Sequence, residues 1–354
     1  MGEHQIAQQA DGDALRRFMQ KVLYDLRALE RMLDEGLIER GVTRIGAEQE
    51  LFLVDASFDP TPVAMEVLAD LDDPRVTTEL GRFNFEFNLD PLILGGDCLA
   101  RMERQLHELL AVVAGAAQRH GADVLMTGIL PTLDKSHLTL DYMTPEPRYR
   151  ALNDALYQLR NSEFQFRLKG PDELIVRHDN VMLEACNTSF QVHFQVGAED
   201  FARLYNIAQA VTAPLLAAAV NSPLFLGRRL WQETRIALFQ LSIDTRIPTT
   251  HVREQSPRVR FGRHWVQRSV TEIFQEDIAR FRVLIGTEVE EDPFAELNAG
   301  RVLQLKALRL HNGTVYCWNR PCYGISEGRP HLRIENRVMP ADPTPLNKVA
   351  NAAF

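Results

Sequence analysis

The chain has 354 residues, 45% hydrophobic and 25% charged, an ordinary globular composition with enough length to bury a sizeable core. Its formal net charge of -9 argues against broad nucleic-acid binding, which shows a basic balance, but leaves room for a phosphate ligand held by local arginines or metal ions. The opening "MGEHQIAQQADGD" lacks the basic and apolar segments of a signal peptide, and the longest apolar run, "AVTAPLLAAAVNSPLFL" from Ala210, contains two prolines and falls short of the ~20 residues that span a bilayer.

In chain order, apolar residues at helical spacing predict an amphipathic helix from Asp13 to Leu37. "GAEQELFLVD", residues 46–55, then reads as a strand. Asp97 is placed to cap a long helix through His120 that Gly121 stops. "ADVLMTGILP" reads as a strand ended by Pro131, and a helix is expected from Tyr149 to Leu168. "LEACNTSFQVHFQV" alternates as a strand, Glu199 to Val220 reads as a helix carrying Pro214, and Val270 to Gly286 as another helix. Two late strands, "VYCWN" and "HLRIENRVM", bracket the loop "RPCYGISEGRP", a plain connection rather than a lid. Strands and helices interleave without a βαβ rhythm, which predicts an α+β fold in a single domain over residues 1–354. Four irregularly spaced cysteines (Cys98, Cys186, Cys317, Cys322) lack a zinc-site pattern and read as free thiols, so a cytoplasmic protein without a membrane partner is expected.

Four of the strands share one asymmetry. Side chains two apart on a strand point to one face. Glu48 and Glu50 therefore sit together, opposite Leu51 and Leu53. Asn84, Glu86 and Asn88 oppose Phe83, Phe85 and Phe87; Gln191, His193 and Gln195 oppose Phe190, Val192, Phe194 and Val196; Arg333, Glu335 and Arg337 oppose Leu332, Ile334 and Val338. Any one of these strands is the ordinary wet face of an antiparallel sheet. Together they hold Glu, His, Arg, Asn and Gln and no lysine, a set that matches hard divalent-cation ligands and phosphate-binding guanidiniums. Two carboxylates ~4 Å apart at an effective dielectric near 20 repel by about 4 kcal/mol, and bound cations remove that penalty. A metal-free acid pair of the glycosidase kind needs only two groups, whereas Glu48, Glu50, Glu79, Glu86 and Glu335 with His193 suit more than one metal ion.

These motifs resemble the glutamate–cysteine ligase family and its carboxylate–amine ligase relatives, within the glutamine synthetase-like superfamily. The resemblance rests on "GAEQE" as a G-x-E-x-E strand, on "ELGRFNFE" with its two acids seven apart, and on "SFQVHFQV", "LLAAAVNSPLF" and "LRIENRVMP", in the family's order from about residue 46 to residue 345. It implies a curved, mainly antiparallel sheet with helices on its outer, apolar face. It implies Mg²⁺ or Mn²⁺ on Glu48, Glu50, Glu79, Glu86, His193 and Glu335, with Arg333 and Arg337 beside phosphate or the acidic substrate. Arg228, Arg229 and Arg235 follow the Asn-Ser-Pro turn where the family has substrate-binding basic residues, and Arg228 and Arg235 are the candidates for nucleotide contact. Trp231 reads as a packing residue, Asn221 as a turn cap, and His178 and Asp179 as surface turn residues.

The implied reaction uses ATP to phosphorylate a substrate carboxylate, after which an amine displaces the phosphate. Glutamate is the expected acid and cysteine the expected amine, in glutathione biosynthesis; a homo-oligomer is compatible with this. Two other readings stay open, a metal-dependent hydrolase using the same acidic face and a catalytically silent relative that binds nucleotide or amino acid. The resemblance also implies a further helix packing back on the sheet beyond "NKVANAAF", so either a missing C-terminal extension or a shorter branch of the family is the expectation.

Overall fold

The computed structural model describes residues 12–160, 164–246 and 256–354. In chain order these form α1 (Gly12–Asp34), β1 (Arg44–Val54), α2 (Ala64–Ala69), β2 (Val76–Thr78), β3 (Asn84–Asn88), β4 (Leu92–Ile93), α3 (Cys98–Arg119) and β5 (Asp123–Leu125). There follow α4 (Pro147–Arg160), β6 (Phe164–Lys169), β7 (Glu173–His178), β8 (Phe190–Val196), α5 (Phe201–Ala218), β9 (Leu224–Phe225), β10 (Arg228–Arg229) and α6 (Thr234–Ser242). The last third holds α7 (Thr271–Arg280), α8 (Pro293–Asn298), α9 (Lys306–Gly313), β11 (Asn319–Ser326), β12 (Arg329–Asn336) and α10 (Pro345–Ala353).

Among the described residues, eight strands make one curled antiparallel sheet in the order β11-β12-β8-β1-β3-β2, with β4 and β5 also paired to β1, in an α+β fold. Period-two alternation decides which side of each strand is buried. Leu51, Leu53, Phe83, Phe85, Phe87 and Phe190 are all fully buried and belong to one apolar cluster with Met102, Leu106, Leu109 and Val113 of α3. Each such side chain removed from water contributes roughly 1.5–3 kcal/mol, so the sheet's register is strongly specified. A second cluster ties Val196, Tyr323, Leu332 and Ile334 at the other end of the sheet to α1, α5, α7 and α9. The opposite face of the same strands carries the polar residues.

The α3 prediction holds closely, with Gly121 in the left-handed region at φ +71 just past its end. α5 keeps Pro214 within it. The helix expected over 149–168 stops at Arg160; Phe166 and Leu168 are buried while Gln165 and Arg167 are exposed, and this alternation makes β6 the first strand of a hairpin with β7. "LEACNTSFQVHFQV" divides into a 3-10 turn, Val181–Cys186, and β8. Only Asp123–Leu125 of the strand expected over 122–131 pairs with β1, and α7 ends at Arg280, short of Gly286.

The segment expected to be a loop, 320–330, is instead most of β11 and the start of β12, joined at Glu327 and Gly328. Both turn residues have positive φ, +51 and +73, the twist-matched geometry of a two-residue hairpin loop. Residues 345–353 themselves form a helix, α10, which packs on α3. Trp231 is 48% exposed, so it does not pack in the interior as expected. Asn221 donates to Ala341 O at 3.0 Å, and His178, half-buried, bonds Asn180 Oδ1 at 2.7 Å.

Candidate active site

The strand register assembles the acids. Glu48 of β1 stands opposite Asn88 of β3 and Gln191 of β8, and Glu50 stands opposite Glu86. Glu335 of β12 faces His193 of β8 directly, and Arg320 of β11 on its other side. Glu79 arrives by the turn that precedes β3. That turn needs Gly81, because a Cβ there would lie 2.4 Å from Asn84 Oδ1 and 3.2 Å from Ala185 Cβ.

Two triads result. Glu48, His193 and Glu335 place one ligand atom each within 4.8 Å of one another, and so do Glu50, Glu79 and Glu86. All five acids line a cavity of about 580 Å³, together with Gln191, Arg320, Arg333 and Arg337. His193 is not on the cavity wall; it sits behind Glu48, its Nε2 3.3 Å from Glu48 Oε1.

Burial raises the carboxyls of the second triad, and their mutual charge raises them further. Glu50 is pushed up to about 7 by burial and by Glu86. Glu79 reaches about 8 through burial and the charges of Glu50 and Glu184, and Glu86 is raised well above the usual range by burial and by Glu48 and Glu79. The first triad behaves oppositely. Burial opposes ionisation of Glu48, but the charge of His193 outweighs it and holds the carboxyl at about 2. Burial opposes ionisation of Glu335 too, but Arg320 and Arg337 outweigh it and hold Glu335 well below the usual carboxylate range.

Hydrogen bonds fix each acid in place. Ser189 N and Gln191 Nε2 each donate to Glu50 at 2.7 Å, and Asn88 Nδ2 donates to Glu86 at 2.8 Å. Leu80 N donates to Glu79 at 3.2 Å. Arg320 Nη2 donates to Glu335 at 2.8 and 2.9 Å, and Arg337 Nη1 donates to Glu335 and to Gln191 Oε1.

A divalent cation fits both triads on chemical grounds. The donors are hard carboxylate oxygens with one imidazole, the preferred set for Mg²⁺ and Mn²⁺. His193 Nε2 is buried beside Glu48 without a hydrogen bond among the described residues. A cation would also relieve the crowding that raises Glu50, Glu79 and Glu86.

The structure does not bring Arg228 and Arg235 to this cavity. Arg228 is exposed on β10. Arg235 is buried, paired with Glu233 at 2.8 Å, stacked 5.4 Å from the Trp318 ring centroid and bonded to Val338 O. Both its charge and its donors serve the fold. Arg229 is tied to Asp172 at 3.1 Å on the surface.

Three cavity residues escaped the sequence reading. Arg320 falls in the segment read as a loop; taking Glu327-Gly328 as a two-residue turn would have set Arg320 opposite Glu335. Arg148 stacks on Tyr149, 4.5 Å from the ring centroid, beside Glu79 and Glu86. Glu184, raised to about 7 by burial and by Glu50, enters from the 3-10 turn and carries no signal in its local sequence.

A family model described as glutamate-cysteine ligase family 2 matches residues 44–354. No curated protein matches the sequence. Among solved structures the chain is similar to a bifunctional glutathione synthetase from Pasteurella multocida, at 11% identity and a TM-score of 0.40. That alignment covers 90% of this chain and 37% of the other, so the chain spans 37% of that relative's length.

Proposed function

The chain belongs to glutamate-cysteine ligase family 2, and from that premise we propose that it is an ATP-dependent carboxylate–amine ligase that joins glutamate to cysteine through its γ-carboxyl. The observation that carries this reading is the pair of triads, Glu48/His193/Glu335 and Glu50/Glu79/Glu86, on one sheet face with Arg320, Arg333 and Arg337 in the same cavity.

A carboxylate is a poor electrophile at neutral pH. Transfer of the γ-phosphoryl group of ATP to it gives an acyl phosphate, and attack by the amine expels phosphate and leaves an amide. Divalent cations on the two triads, Mg²⁺ or Mn²⁺, would neutralise phosphate charge during the transfer. The protein's own part is positioning and electrostatics. Gln191 and Ser189 fix the direction of Glu50, while Arg320 and Arg337 keep Glu335 ionised as a ligand. The guanidiniums place fixed positive donors beside the reacting oxygens. No protein nucleophile is required. Among the described residues all four thiols are buried, and burial pushes Cys186, Cys317 and Cys322 far above the usual thiol range.

The test is ADP and phosphate release with Mg²⁺, ATP and a panel of amino acids. Turnover that needs both an acid and an amine supports the ligase. Release without an amine supports the hydrolase, and tight nucleotide binding without turnover supports the silent relative.

A further inference from the structure

The three guanidiniums beside the acids are not equivalent. Arg320 is committed to Glu335, and Arg337 divides its donors between Glu335 and, at 2.5 Å, Gln191. Arg333 lines the same cavity but forms no ion pair among the described residues, and its buried Nε has no hydrogen-bond partner. Its Nη1 instead meets His331 Nε2 at 3.3 Å. An imidazole nitrogen accepts from a guanidinium only when it carries no proton. Burial and the charge of Arg333 push His331 down to about 4, with Arg44 acting in the same direction and Glu39 against it.

The fold makes room for this contact. Gly324 of β11 lies opposite His331 in the hairpin. A Cβ at Gly324 would stand 2.8 Å from His331 Nε2 and 3.0 Å from Arg333 Nη1, so the pair occupies the space a side chain would fill.

Resting on the ligase reading, we propose that His331 is a positioning residue for Arg333: a neutral acceptor that fixes the guanidinium's direction while leaving its charge for an anionic oxygen group of a substrate. An aspartate in its place would grip Arg333 more tightly and cancel that charge. If His331 were merely structural, a folded aspartate variant would keep its ligand affinity; if it must preserve the charge of Arg333, the affinity falls. The anionic group is an amino-acid carboxylate or a nucleotide phosphate, and both present the same chemistry to Arg333.

The experiment measures equilibrium binding of L-glutamate, and separately of a non-hydrolysable ATP analogue with Mg²⁺, to the full chain and to His331→Gln, His331→Asp and Gly324→Ala. His331→Gln, which keeps a neutral acceptor, should bind both within ~3-fold of the parent, while His331→Asp should lose ~10-fold or more for one of them. Gly324→Ala, which crowds the pair without changing its charge, should weaken the same ligand. The ligand that weakens is the one Arg333 receives. Unchanged binding of both ligands to His331→Asp, or an equal loss in His331→Gln, overturns the proposal. Should His331→Asp fail to fold, unchanged binding to Gly324→Ala overturns it. A parent chain that binds neither ligand overturns the ligase reading and this inference with it, a result distinct from the others.

Discussion

Glu50 and Glu86 face each other across the β1–β3 pair, and the charge of Glu86 adds to burial in raising the proton affinity of Glu50. Like charges directly opposite destabilise a strand pair. Glu50→Gln should therefore leave the metal-free fold intact or slightly more stable, while lowering metal-dependent turnover by ~10² or more through loss of a ligand. Thermal unfolding without metal, paired with ADP release, separates the two effects. Retained turnover would count against the second triad as a cation site.

Divalent metal should bind the folded chain and not the unfolded one. At ~100 times its dissociation constant, Mg²⁺ or Mn²⁺ should add about 2.7 kcal/mol of stability for each triad it fills. His193→Ala, which removes one ligand of the first triad, should reduce that gain and leave the second triad able to bind. Melting curves with and without metal, for parent and variant, measure the difference.

Lys348 of α10 is fully buried, its Nζ donating to Asp342 O at 2.6 Å. Burial lowers it from 10.5 to about 7. Between those values the unfolded chain holds a proton that the folded chain does not, so this group makes stability rise with pH across that window and adds no slope below about 7. Lys348→Met should remove that slope and stabilise the fold by on the order of 1–4 kcal/mol at pH 7 or below. Chemical denaturation of parent and variant from pH 6 to 10 checks the sign.

Arg235 and Arg228 should separate by role. Arg235→Ala leaves Glu233 buried without its cation and should cost roughly 3–5 kcal/mol of stability. Arg228→Ala, on an exposed two-residue strand, should change stability by less than ~0.5 kcal/mol and leave nucleotide binding unaltered. A loss of nucleotide affinity in a folded Arg228→Ala would return that residue to the site.

The polar face was legible because β-strand alternation is a local code. Glu48 and Glu50, Asn84 and Glu86, and Arg333 and Glu335 announce their shared side without knowledge of any partner strand. Which strands are neighbours was not legible from alternation, since Glu335 meets His193 through a pairing between positions 142 residues apart (335 − 193). The failures have a common cause. β6 and the segment before β8 contain apolar residues whose spacing suits more than one period over a short window, and tertiary packing chose. Arg320 was hidden by treating glycine and proline as loop markers, although Gly324 and Pro321 lie within a paired strand. Arg235 shows the opposite error, an arginine near a promising motif whose charge is spent internally.

Glu48 and Glu50 are successive same-side residues of one rigid strand, and each belongs to a different triad. The pleat sets their separation at about 6.8 Å, two strand residues. β1 thus works as a ruler between the two charge centres. Changes in surrounding loops can alter which molecules enter, but the interval between the centres is built into the main chain and stays fixed as the rim varies.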